Sequence, residues 1–205
     1  MYKKKPLIIF EGIEGTGKTT LINYVSNFFN KKRISYIRIR EPGGNRNSEL
    51  IRKLILNKKN KFNNFTDLML YFAARSENIE KIIKKNYKNK IILIDRFTDS
   101  TLAYQHYGMG LSRSLITNIN KFLLKKIKPD ATFLCLINEK NLKIRLNLRK
   151  KKNRYDNFNI KFYKKIQNGF LKISNKKRNY ILINSNNSLV SNKIKVLNHI
   201  NKLIK

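Results

Sequence analysis

Residues 12 to 19 read Gly-Ile-Glu-Gly-Thr-Gly-Lys-Thr, a full match to G-x-x-x-x-G-K-[ST] between a short apolar run and a helical pattern. The chemistry of this pattern is phosphate binding. Its glycines let backbone N–H groups curl around phosphate oxygens, and the helix N-terminus that follows adds positive potential. Gly12, Ile13, Glu14, Gly15, Thr16 and Gly17 form the cradle. Lys18 is the cation for the β- and γ-phosphates, and the Thr19 hydroxyl is a ligand for Mg2+. A second acid stands in "IILIDR", where four apolar residues end in Asp95. A carboxylate at that point of a central strand either holds Mg2+ or caps the strand. Arg96 follows it and offers a guanidinium where a second phosphate could sit. Glu14 is an acid inside a phosphate loop. It would repel phosphate unless it faced a sugar hydroxyl or a metal. No Asn-Lys pair is followed two residues later by Asp, which argues against a guanine-reading switch.

The elements that must position these residues follow from periodicity. "PLIIFEG", "ISYIRIR", "KIILIDR", "ATFLCLI" and "NYILIN" read as five strands. Helical spacing covers 18–30, 46–57, 66–87, 112–127, 138–150, 158–175 and 188–204, and the helix over 66–87 opens at a Thr66-Asp67 cap. Strands alternate with helices along the whole chain. This predicts an α/β fold, a five-stranded parallel sheet with helices on both faces and ligands at the strands' carboxyl ends. The 205 residues are expected to form one domain over 1–205, with neither a repeat nor a linker.

Composition removes several function classes. A single cysteine, Cys135, excludes a disulfide framework within the chain and a zinc site of several cysteines. It sits mid-strand and reads as core, in keeping with a reducing, cytoplasmic setting. No apolar run approaches the ~20 residues that span a bilayer, so no membrane role is expected. The N-terminal "MYKKKPLIIFEG" reads as a first strand and not as a signal peptide. The formal charge of +34 admits two readings. Lys, Asn, Ile, Phe and Tyr all have AT-rich codons, and the basic residues are spread over the whole chain. A biased, solvated surface is favoured over a specific nucleic-acid face. Seven of the eight glycines fall in three short loops, at 12–17, 43–44 and 108–110. In so AT-rich a composition, that clustering marks the places that need them.

With "FEGIEGTGKTT" stand "REPGG" at 40–44, "YFAAR" at 71–75, "DRFTDSTLAYQ" at 95–105 and "KPD" at 128–130, in that order. On these motifs the chain resembles the bacterial thymidylate kinases over essentially its full length. The resemblance implies a P-loop nucleoside monophosphate kinase fold with a small lid at about 145–157. It also implies transfer of the ATP γ-phosphoryl to dTMP with Mg2+, giving dTDP in dTTP biosynthesis, by a cytoplasmic homodimer. Another nucleoside monophosphate or deoxynucleoside kinase is the alternative, followed by a P-loop nucleic-acid binder. By the same resemblance Glu14 faces the acceptor's 3′-hydroxyl, Arg40 leaves the second strand toward the acceptor, and Arg96 clamps the acceptor phosphate. Tyr71 stacks on thymine and Arg75 bonds a base carbonyl. Ser100, Thr101, Tyr104 and Gln105 lie at i, i+1, i+4 and i+5, so one helix offers all four to base and sugar. The phosphate loop carries no arginine, so the resemblance is to the type whose lid supplies the catalytic cation. Arg145, Arg149 and Arg154 are the candidates, with Arg149 and Arg154 preferred. "NRYD" departs from the family's D-R-x-E.

Overall fold

The computed structural model describes residues 5–148 and 158–204. Five parallel strands form one sheet in the order β2-β3-β1-β4-β5. They are β1 (Leu7–Glu11), β2 (Tyr36–Arg40), β3 (Ile91–Asp95), β4 (Ala131–Leu136) and β5 (Tyr180–Asn184). The three central strands are the continuous apolar runs, as burial on both faces demands. The edge strands β2 and β5 are more exposed.

Strand alternation sends neighbouring residues to opposite layers. Ile8 and Phe10 of β1 pack with Leu21, Val25 and Phe29 of α1 (Lys18–Lys31) and with Val196 and Ile200 of α9 (Leu189–Ile204). Leu7 and Ile9 face the other way, against Ile79 and Ile83. Each fully buried Phe or Ile contributes roughly 1.5–3 kcal/mol over its exposed state. The central position of β1 is therefore well determined, and so is the loop that leaves its carboxyl end.

Two helical stretches differ from their sequence reading. The helix expected over 66–87 begins earlier, as α3 (Asn64–Asn78). Its cap is Asn63, whose side chain accepts from the Thr66 N–H at 2.8 Å. Asp67 lies inside the helix, buried. Asn serves as well as Thr at this position, and Asn63 precedes the first turn by the right interval. The helix then widens into a π-helical turn at Ile79–Ile83 before a last short piece, α4 (Lys84–Asn86). The second difference concerns the acceptor segment. α5 (Thr98–Thr101) continues as a π-helical run, Leu102–Gly108. Tyr104 and Gln105 thus project from wide turns and not from an α-helix, and wide turns of this kind concentrate at functional sites. The other helices follow expectation: α2 (Arg46–Leu56), α6 (Arg113–Leu124), α7 (Glu139–Asn147) and α8 (Ile160–Ser174).

Candidate active site

One cleft of about 830 Å³ opens at the carboxyl ends of the strands and is lined from Glu14 through Thr19, by Arg40, Arg52, Tyr71 and Arg75, by Asp95 to Phe97, and by Ser100, Thr101, Tyr104 and Gln105. It is built around β1 and β3, which run side by side and release their chains at Glu11 and Asp95.

The donor half is the loop at 12–17. Gly12 has φ 133°, and a Cβ there would stand 2.3 Å from the Cys135 carbonyl oxygen on β4. Only glycine lets the loop leave the sheet so close to the neighbouring strand. Lys18 is buried and donates to the Gly12 and Ile13 carbonyls at 2.8 and 2.7 Å. Burial, helped by the nearby Arg96 charge and opposed by Asp95 and Glu14, lowers its ammonium to about 8. The Thr19 hydroxyl donates to Asp95 Oδ2 at 3.1 Å, which joins the two residues expected at a metal. These are hard oxygen donors of the kind Mg2+ takes, and Mg2+ needs few of them from protein when phosphate supplies the rest.

Arg96 joins the two halves. Its backbone is left-handed, φ 68°, unusual for a side chain of this size. That turn aims the guanidinium back across the cleft. Nη1 donates to the Gly12 carbonyl at 2.9 Å and Nη2 to Glu14 Oε1 at 2.8 Å. The same guanidinium lies 5.2 Å from the Tyr104 ring centroid, and the Tyr104 hydroxyl donates to Glu14 Oε2. Glu14 is therefore turned away from the phosphate cradle. Burial alone would raise its carboxyl, but the Arg96 and Lys18 charges and the Tyr104 hydroxyl outweigh burial and hold it below the usual range. The acid inside the loop is neutralised by its surroundings.

The other residues expected at the acceptor differ in how their partners hold them. Arg40 is half-exposed and pairs with Glu49 at 3.1 Å. Tyr71 lines the cleft. Arg75 is buried. It donates to Glu41 Oε2 (2.7 Å), Asn120 Oδ1 (2.8 Å), the Phe97 carbonyl (3.1 Å) and Thr101 Oγ1 (2.9 Å). Among the described residues those bonds take four of the guanidinium's five N–H groups and leave one on Nη1. Thr101 is buried beneath Arg75. The Ser100 hydroxyl donates to Glu11 Oε2 at 2.5 Å. Gln105 is 1% exposed, and its Nε2 has no partner among the described residues.

Three residues of the site escaped the sequence reading. Glu11, wholly buried, accepts from the Phe97 and Ser100 N–H groups at 2.8 and 3.1 Å and so fixes the start of α5. Its one visible signal was an acid ending an apolar strand just before Gly12. Arg52, which lines the cleft and donates to the Pro42 carbonyl at 2.6 Å, was hidden in an ordinary amphipathic helix. Ser185 Oγ donates to the Thr16 carbonyl at 2.8 Å from the far end of the chain, with no motif around it. Of the three lid candidates, Arg145 is engaged, donating to the carbonyls of Gly15 (3.0 Å) and Ser185 (2.7 Å). Arg149 and Arg154 lie outside the described residues.

Comparison with known proteins gives the family. The family model described as thymidylate kinase matches residues 10–195. The chain is 38% identical over 180 residues to a thymidylate kinase of Sulfurihydrogenibium sp. (strain YO3AOP1), covering 86% of this chain and 87% of that one. It is also 38% identical over 188 residues to a thymidylate kinase of Clostridium novyi (strain NT), covering 89% of this chain and 92% of that one. The crystal structure of thymidylate kinase from Ehrlichia chaffeensis superimposes with a TM-score of 0.76 at 29% identity, over 97% of this chain and 99% of that one. The fold is thus that of a P-loop nucleoside monophosphate kinase, and the chain belongs to the thymidylate kinase family.

Proposed function

We propose that this chain transfers the γ-phosphoryl group of ATP to the phosphate of dTMP, yielding dTDP, the precursor of dTTP. The observation that carries the reading is Arg96. One guanidinium touches the donor loop, at Gly12 and at Glu14, and also the residues after β3 proposed for the acceptor, Ser100 at 3.4 Å and the Tyr104 ring at 5.2 Å. ATP lies with its phosphates in the cradle of residues 12–17, its β- and γ-oxygens met by Lys18. Mg2+ fits beside Thr19 Oγ1 and Asp95 and, when bound, supplies positive charge to those oxygens.

On the acceptor side, Arg96 holds the dTMP phosphate as a fork. One of its oxygens attacks the γ-phosphorus while the bond to the β-bridging oxygen breaks and ADP leaves. Glu14 receives the 3′-hydroxyl, which replaces part of the charge pairing it has in this structure. Tyr104, packed under Glu14 and 6% exposed, closes the space beside the sugar where a 2′-hydroxyl would go. The base lies over Tyr71, between the one remaining N–H of Arg75 and the unpartnered Nε2 of Gln105, which suits a pyrimidine with carbonyl oxygens. Arg40 stands at the mouth of the acceptor half, and Ser100 and Thr101 hold its wall. Arg149 or Arg154 supplies the lid cation over the transferring group. Leu50, Leu54, Phe65 and Phe122, large apolar side chains left exposed on α2, α3 and α6, support a homodimer through that side. A cytoplasmic location fits a chain in which no helix among the described residues is long and apolar enough to cross a membrane.

The test is an acceptor panel with ATP: dTMP, dUMP, dCMP, AMP and thymidine, each followed by ADP release. A dominant rate with dTMP is expected. A higher kcat/KM with any other acceptor overturns the assignment, and transfer to thymidine alone moves the chain to the nucleoside kinases.

A further inference from the structure

The phosphate loop is gripped by its carbonyls. Gly12 O is taken by Lys18 and Arg96, Ile13 O by Lys18 and Thr16 Oγ1, and Gly17 O by the Leu21 N–H. The two carbonyls at the crown of the loop are held from outside. Arg145 Nη1 donates to Gly15 O at 3.0 Å, and Ser185 Oγ donates to Thr16 O at 2.8 Å. Arg145 Nη2 also donates to Ser185 O at 2.7 Å, so Arg145, Gly15, Thr16 and Ser185 close a ring. The ring is anchored at both ends. The Ser185 N–H continues the β4–β5 ladder by bonding Leu136 O at 2.7 Å, and the Arg145 Cβ lies against Gly15, 3.4 Å from where a Cβ would be. Ser185 and Thr16 are both buried.

A trans peptide points its C=O and N–H in opposite directions. Holding the Gly15 carbonyl outward therefore fixes the Thr16 N–H on the inner side, and holding the Thr16 carbonyl outward does the same for the Gly17 N–H. These are the groups that a loop of this kind turns toward phosphate. We propose that Arg145 and Ser185 are positioning residues for the phosphate donor, an external brace that aims the Thr16 and Gly17 amides. Neither touches the reacting atoms. The inference rests on the reading of residues 12–19 as the donor site. It gives Arg145 a different job from that of a lid cation.

The brace acts on the phosphate cradle and not on a base, so the probe is inorganic tripolyphosphate with Mg2+, titrated calorimetrically beside ATP and dTMP. Arg145→Ala and Ser185→Ala should each weaken both tripolyphosphate and ATP by on the order of tenfold and leave dTMP affinity unchanged. The double variant should lose less than the product of the two, because one ring is broken either way. Ser185→Thr, which keeps the hydroxyl, should restore binding. Arg145→Lys, a point charge that cannot span two carbonyls, should not. Melting temperatures near the parent's show that the variants are folded, and Ser185→Thr keeps the test open should Ser185→Ala unfold. The brace is overturned by unchanged tripolyphosphate binding, by full rescue with Arg145→Lys, or by a loss confined to kcat. If weakening is limited to ATP, the loop at Ser185 serves the base and the brace is again wrong. A parent protein that binds neither ATP nor tripolyphosphate overturns the donor-site reading itself.

Discussion

Lys18 sits among the carbonyls of its own loop, and its ammonium titrates near 8 because burial and Arg96 disfavour the charge. Free enzyme should therefore lose its loop cation as pH rises through about 8. We expect kcat/KM for ATP, measured at subsaturating ATP, to decline above that pH. A profile that stays flat for a further unit contradicts the role. Lys18→Ala should lower kcat by on the order of 10². Glu11 shows the opposite shift. Burial, with Asp99 nearby, raises its carboxyl from 4.5 to about 7 against the hydrogen bonds from Ser100 and Phe97 and the charge of Arg96. Between those two pH values the unfolded chain has released a proton that the folded chain keeps. Stability therefore falls as pH rises through that window, by about 3 kcal/mol in total, and levels off above it. Glu11→Gln retains an oxygen for the two N–H groups and removes the titration. Its melting temperature should gain on the parent's as pH rises from 4.5 to 7, and parallel curves would refute the shift. At this scale Lys18 was legible because the loop is a contiguous pattern. Glu11 was not, because its partners are 86 and 89 residues away.

Among the elements, β1 and the turn after it do most to place the chemistry. The Gly12 position is set by the Cys135 carbonyl on β4, so Gly12→Ala must drive the loop away from its neighbouring strand or open the sheet. We expect a loss on the order of 3 kcal/mol together with lost ATP binding, read by thermal denaturation with and without ATP. A variant as stable and as active as the parent would show that the loop has room to move. The five strands and most helices were legible because apolar periodicity reports burial directly. The wide turns at Ile79–Ile83 and Leu102–Gly108 were not, since they insert into a helical pattern without disturbing its composition. For that reason the argument that one helix offers Ser100, Thr101, Tyr104 and Gln105 named four residues that line the cleft but missed the wide turns that carry Tyr104 and Gln105. Cys135 was read correctly as core: it is buried, and burial pushes its thiol up to about 12, out of the range of a nucleophile.

For the molecule as a whole, the charge of +34 dominates contact with anything anionic. If it reflects codon bias, DNA should bind weakly and leave by about 200 mM salt, with no preference for sequence. Fluorescence anisotropy across a salt series measures this, and a sequence-selective complex that persists there would identify a nucleic-acid partner. A second consequence starts from Arg96, whose single guanidinium bonds Gly12 and Glu14 in the phosphate loop and also meets Ser100 and the Tyr104 ring across the cleft. Two ligands that meet one group cannot bind independently. Whatever factor dTMP exerts on the affinity for ATP, ATP must exert on dTMP, since the four states form a closed cycle. Calorimetry with the partner nucleotide absent and then saturating, using a non-transferable ATP analogue, should return two equal coupling factors different from one. In Arg96→Lys, where the fork becomes a single ammonium, both should shrink together toward unity.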